Sequence, residues 1–370
     1  MKIFTCFACN QTLYFENTTC ASCGHALAFL PDRGVLAAVD PGPDGTLVAV
    51  DRKLAGSKYR RCGNEIDHGA CNWAVPAGED QRFCASCRLN EMIPNLADPK
   101  AKAAWLKLER AKRRLLYTLF ELGLPVEPRG EGPTGLAFSF KQDDPGVEKV
   151  FTGHNDGLIT INIAEADAPF REKTRQEMGE AYRTLLGHFR HEIGHYYWDR
   201  LIEDSDRLPR LRELFGDPDA DYGAALERHY DQGAPPDWPS RFVSSYASMH
   251  PWEDWAESWA HLLHMIDTLE TARSFGLALQ PKPVGGRMER ALSIRRVHFE
   301  RFDDLIAAWV PMTLALNSLN RSMGLPDLYP FVLSQPAIDK LRFVHEVMGE
   351  AAQRTVQRTV QRTAQRTGGL

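Results

Sequence analysis

His191, Glu192 and His195 stand together as HEIGH within a run of strongly helical composition, and no other residues in the chain are so clearly placed to do chemistry. On a helix, residues four apart share one face a single turn apart. His191 and His195 can therefore bind one zinc ion together, with Glu192 projecting beside it. Zinc lowers the pKa of a bound water towards ~7, and an adjacent carboxylate can take its proton as it attacks a carbonyl. The implied chemistry is hydrolysis with Glu192 as general base. A histidine pair satisfied inside a helical core is the competing reading of the motif alone.

Two histidines leave zinc short of protein ligands. Downstream, SYASMHPWEDWAESWA (245–260) offers Glu253 and Glu257, again four apart on a helical pattern. One carboxylate can complete the ligand set, and the other can accept the free imidazole N–H of a histidine. Asp254 competes with Glu253 but points roughly 100° around the helix. His261 and His264 continue the same helix. His188 lies two turns before His195, and three histidines along one helix do not easily converge on a tetrahedral ion. Asp199, one turn past His195, is a further candidate to orient a histidine, set against a solvated carboxylate at a helix end. HEIGHYYWDRL continues without the Gly and His of the metzincin motif.

A HExxH motif with a carboxylate on a second helix resembles the gluzincins. The likeness extends to the catalytic domain of anthrax-toxin lethal factor. There HExxH is followed by a tyrosine, a ligand glutamate seven residues later, and another glutamate one turn on. Tyr246, Glu253 and Glu257 stand at those positions here. The resemblance implies that Glu253 is the third zinc ligand and that Glu257 orients one histidine. It also implies that the Tyr246 hydroxyl donates to the developing oxyanion. In gluzincin-like folds an edge strand above the active-site helix pairs with the peptide backbone. GLITINI (157–163) is the candidate for it, with a core strand as the alternative.

All eight cysteines fall between Cys6 and Cys87. Cys6-x-x-Cys9 and Cys20-x-x-Cys23 are two knuckles whose four thiolates can converge on zinc, a zinc-ribbon pattern. Cys62, Cys71, Cys84 and Cys87 form a second expected four-cysteine site, with His68 as an alternative to Cys71. One catalytic and two structural zinc ions follow. The structural pair would stabilise a region with little apolar core.

The elements that must position these residues follow from pattern. VLAAVD (35–40) and TLVAVD (46–51) flank PGPDG as a hairpin. Residues 101–123 have helical periodicity, begin after Asp98-Pro99 and stop at Gly123 and Pro125. LAFSF (136–140) and GLITINI read as strands. Residues 171–203 read as one long helix carrying HEIGH, 204–240 as a polar connection with one short helix, and 252–272 as the helix of Glu253. Two further helices are expected over 289–324 and 336–352.

The expected fold class is α+β, a mostly helical gluzincin-like domain with a small sheet, preceded by a zinc-ribbon region of short strands. The expected domains are 1–95 with the two cysteine sites, a basic linker helix over 96–126, and the HExxH domain over 127–350. A QRT-repeat tail over 351–370 is expected to be disordered or weakly helical. Between 98 and 116, seven basic residues face only Asp98 and Glu109. With Arg52, Lys53, Lys58, Arg60 and Arg61 they make a candidate surface for nucleic acid or a protein partner, against a solvated helix face.

No apolar run approaches the ~18 residues of a membrane span. The N-terminus lacks a secretory pattern, and clustered cysteine pairs suit a reducing cytoplasm. Over most of residues 1–345 the chain also resembles a bacterial family of zinc-binding metallopeptidases with an N-terminal zinc ribbon. The paired cysteines, RLLYTLFELGLP (114–125), TGHNDGLITIN (152–162), YRTLLGHFRHEIGHYYW (182–198) and RFVSSYASMHPWEDWAESWAHLLH (241–264) carry that resemblance. It implies a peptidase acting on a peptide or protein substrate. The contrasting expectation is a regulatory protein that binds nucleic acid or protein through its ribbons and keeps the peptidase fold as an inactive scaffold.

Overall fold

The computed structural model describes residues 2–54, 56–131, 135–143, 146, 149–177, 182–281, 292–294 and 297–367. The chain forms two compact units, one of residues 1–121 with 126–167 and one of residues 122–125 with 168–370. One division, after Pro125, falls beside the expected boundary at 126, and none falls at 95 or 350. The fold class is α+β.

The first unit opens with a short hairpin, β1 (Phe4–Thr5) and β2 (Thr12–Leu13). An antiparallel five-stranded sheet follows in sequence order: β3 (Ala26–Leu30), β4 (Val35–Pro41), β5 (Leu47–Ala49), β6 (Lys58–Arg61) and β7 (Ala74–Pro76). Period-two alternation gives this sheet two buried faces. Ala28, Leu30, Val39, Leu47 and Tyr59 fill one core. On β3 the intervening Phe29 joins Phe15, Trp73 and Tyr117 in an aromatic cluster, with ring centroids 4.9 to 6.2 Å apart. The expected hairpin over 35–51 forms, with Val39 opposite Ala49. Helix α1 (Gly63–His68) lies between β6 and β7.

Helix α2 (Pro99–Glu121) starts where Asp98 accepts a hydrogen bond from the Lys100 amide, and Gly123, at φ +68°, follows its end. It is a core helix of this unit rather than a linker, because Trp105, Leu108, Leu115, Leu116 and Leu119 are all buried. A second sheet has the order β10 (Gly153–Asn155), β11 (Leu158–Asn162), β9 (Ala137–Lys141), β8 (Asn90–Met92). Asp156 (φ +45°) and Gly157 (φ +75°) turn the β10–β11 hairpin. The strand expected over 157–163 is therefore β11, paired with β10 on one side and β9 on the other. It has no free edge, so the core-strand alternative holds and the edge-strand reading does not.

The second unit is helical. Helices α3 (Ala168–Glu177) and α4 (Leu185–Leu201) replace the single helix expected over 171–203. Residues 178–181 lie outside the described residues, and Thr184 caps α4 by accepting from the Gly187 amide at 3.0 Å. The connection after α4 holds two helices where one was expected, α5 (Leu208–Phe215) and α6 (Tyr222–Gln232). Helix α7 (Pro251–Ser274) matches the helix expected over 252–272, and α8 (Phe302–Ser322) falls within 289–324. Strands β12 (Ala278–Leu279) and β13 (Leu292–Ser293) pair between them, and residues 282–291 lie outside the described set. Helix α9 (Gln335–Thr367) runs on through the QRT repeats, where Gln, Arg and Ala favour a helix and no glycine interrupts the repeats themselves.

Helices α4 and α7 pack closely. A Cβ on Gly194 would lie 2.9 Å from the Ala256 Cα and 3.2 Å from the Trp259 Cβ, so glycine sets the approach of the two backbones. The Trp255 indole donates to the Gly194 carbonyl at 2.9 Å, Tyr197 stacks on Trp259 at 4.6 Å, and Arg190 pairs with Asp267. Among the described residues no helix is long and apolar enough to cross a membrane.

Candidate metal centre and active site

Three groups of side chains among the described residues can hold a metal ion. Two are the four-cysteine sets. In the first, Cys6 and Cys23 stand 3.7 Å apart and Cys9 and Cys20 3.6 Å. In the second, Cys62, Cys71, Cys84 and Cys87 are all buried, with Cys71 and Cys84 3.6 Å apart. Tetrahedral zinc with ~2.3 Å bonds to sulfur separates its sulfurs by roughly 3.8 Å, so both sets fit. The Trp73 amide donates to the Cys71 sulfur at 3.3 Å and the Cys84 amide to the Cys62 sulfur at 3.4 Å, bonds that favour thiolates. His68 packs edge-on against Trp105 and is not in the second set, so Cys71 is its member.

The third group is His191, His195 and Glu253, brought together by α4 and α7. The His191 Nε2 lies 2.9 Å from the Glu253 Oε2 and 3.1 Å from the His195 Nε2, and the third edge of the triangle is 3.4 Å. A zinc tetrahedron with bonds of ~2.0–2.1 Å has ligand edges of about 3.3 Å, so the triangle has the size of one face. The charges agree. His191 Nδ1 donates to the Glu257 Oε1 at 2.7 Å, which leaves Nε2 for the triangle. Burial works against a charged His191, yet Glu253 and Glu257 overcome it and push its pKa well above the ordinary value. Burial likewise would raise Glu257, but the hydrogen bonds of His191 and Ser244 hold it down at about 2. The pocket demands positive charge, and a dication among three donor atoms supplies it.

Glu257 is itself held, since its Oε2 accepts from the Ser244 hydroxyl at 2.5 Å. The other expected residues fall as follows. Glu192 is buried one residue after His191, within electrostatic reach of Tyr222 and Tyr246. The Tyr246 ring is 5.9 Å from the His191 ring, and burial leads the causes that raise its hydroxyl pKa. Asp199 is half-buried near the end of α4. Asp254 turns away and forms a buried ion pair with Lys340 at 2.6 Å, while burial pushes its carboxyl up to about 7. His261 bonds Tyr329 at 2.8 Å, and His264 packs among Tyr182, Trp309 and Tyr329. His188 is outside the triangle.

Several neighbours of the triangle were not expected. The Tyr222 hydroxyl donates to the Glu253 Oε1 at 2.8 Å, and Trp252 stacks on His195 with ring centroids 3.6 Å apart. His250 caps α7 through its Nδ1, accepting from the Trp252 amide, and its Nε2 donates to the Ala220 carbonyl at 3.0 Å. The Pro251 after His250 was the available signal for that cap. Nothing in the pattern around Tyr222 marks it.

The basic stretch on α2 differs from expectation. Lys112 is fully buried and bonds Glu109 at 3.0 Å, and Arg113 donates to the Ala70 carbonyl at 2.6 Å. Arg114 pairs with Glu16, and Lys107 reaches the Ala166 carbonyl. Among the described residues, Lys100, Lys102 and Arg110 of that helix have no such partner.

The comparisons with known proteins agree with the donor sets. Residues 3–98 match a family model described as "zinc-ribbon domain". Proteins of Mycobacterium tuberculosis and Mycobacterium bovis, both described only as uncharacterized, are 45% identical over 354 residues, which is 95% of this chain and 96% of theirs. No solved structure matches the chain. The zinc-binding character read from histidines, glutamate and cysteines is also that of the model covering both α4 and α7, residues 101–347. The chain belongs to the family described as "Putative zinc-binding metallo-peptidase".

Proposed function

We propose that the protein is a gluzincin-type zinc peptidase that cleaves peptide bonds in peptide or protein substrates. The observation that carries this reading is the triangle of His191, His195 and Glu253, with Glu192 adjacent and His191 already tied to Glu257. In it His191, His195 and Glu253 hold zinc, and Glu257 orients His191, with Asp199 as a second orienting carboxylate for the histidine pair. Bound zinc supplies a Lewis acid for the scissile carbonyl and an acidified water. Glu192 takes the proton of the attacking water and returns it to the leaving amine. The Tyr246 hydroxyl, protonated throughout the neutral range, donates to the oxyanion as charge develops. The reading places the protein in the cytoplasm, where its eight free cysteines stay reduced.

Glu192→Gln tests it. The variant is expected to retain the zinc of the His–Glu site while hydrolysis of an unfolded protein such as casein falls by about 10²–10⁴. Hydrolysis at the wild-type rate with the metal in place would overturn the assignment.

A further inference from the structure

Glu253 has two oxygens in different company. Its Oε2 completes the triangle with His191 and His195, and its Oε1 accepts from the Tyr222 hydroxyl at 2.8 Å. A carboxylate whose second oxygen is already engaged presents one donor atom, which keeps a coordination position open for substrate. Tyr222 is 31 residues from Glu253 in sequence, yet both ends of this bond are fixed. Asp221 caps α6 by accepting from the Ala224 amide at 3.0 Å, placing Tyr222 in the first turn. The His250 ring ties the Ala220 carbonyl to the Trp252 amide, so the residues flanking Tyr222 and Glu253 are joined by one side chain. The Tyr222 ring packs edge-on against His250 at 5.3 Å and Trp252 at 5.7 Å.

A phenol has one hydrogen, and an ionised carboxylate can only accept, so Tyr222 is the donor to Glu253.

We propose that Tyr222 is a positioning residue of the metal centre, fixing Glu253 as a one-oxygen ligand. This rests on the reading that His191, His195 and Glu253 bind zinc.

The test uses the full-length, zinc-loaded chain titrated with a chelator, zinc release being followed by a colorimetric reporter. His191→Ala identifies the ion held outside the cysteine sites, since it lacks only that one. Tyr222→Phe keeps the ring packing and is expected to release that ion at about tenfold lower chelator. The two cysteine-bound ions should be unmoved, which checks that the variant is folded. Tyr246→Phe should release the ion as wild type does, because among the described residues it is Tyr222 whose hydroxyl donates to the Glu253 Oε1. A Tyr222→Phe curve that overlays wild type overturns the inference and leaves the metal centre standing. Equal zinc content in wild type and His191→Ala refutes the centre itself, and the inference with it.

Discussion

His191 is the most constrained residue of the site, because both its nitrogens are committed, Nδ1 to Glu257 and Nε2 to the triangle. A ligand imidazole whose far N–H is bound to a carboxylate is fixed in tautomer and made more basic. Glu257→Ala should therefore weaken zinc at this site by about 10–100-fold, read by chelator competition, with the cysteine sites unaffected. Unchanged affinity would show that the carboxylate does not act through His191. Much of this scale was legible, because i and i+4 pairs place side chains on one helical face whatever the surroundings. His191 with His195 and Glu253 with Glu257 are both such pairs. Ser244 and Tyr222 were not legible. They meet their glutamates across 13 and 31 residues, through a short turn and a polar helix whose composition carries no trace of the encounter.

Among the elements, Gly194 decides how α4 and α7 meet. By intrinsic preference, glycine inside a helix costs up to about 1 kcal/mol relative to alanine, so Gly194→Ala should stabilise an isolated α4. In the protein the added Cβ meets the Ala256 backbone at 2.9 Å, and backbone cannot yield as a flexible side-chain end can. Gly194→Ala is expected to destabilise by about 1–3 kcal/mol in urea unfolding and to weaken zinc at the triangle, because the helices carrying its donors must part. A stabilised variant would mean that the helices are not in contact there. The long helices α2 and α7 were readable from periodicity and flanking Asp-Pro, His-Pro and Gly signals. The break before α4 was not, since YRTLLGH keeps an apolar rhythm and the signals are slight, Gly179 and the cap residue Thr184. The β10–β11 hairpin had its signal in Asp156-Gly157, but with three residues on β10 there was little alternation to recognise.

Across the whole molecule, charge proved the least readable property. The count of cations on α2 is open in the sequence, whereas their pairing with Glu109, Glu16 and backbone carbonyls depends on what tertiary packing brings near. Burial acts in the same way on histidines. His261 sits against Tyr329 and Phe331, and burial, with repulsion from Arg190 and His191, lowers its pKa to about 4 from 6.5 although Glu257 opposes. As pH falls below 6.5 the unfolded chain takes up a proton that the folded one refuses. This contribution is therefore complete above pH 6.5, lost progressively towards pH 4 and constant below. The whole effect is about 3 kcal/mol, of which about 2 kcal/mol is gone by pH 5. His261→Asn removes the titration and keeps a polar side chain facing the Tyr329 hydroxyl. In urea unfolding at pH 7.5 and pH 5.0, wild type should lose about 2 kcal/mol more than His261→Asn. Equal losses would mean that His261 titrates in the folded protein as freely as in the unfolded one.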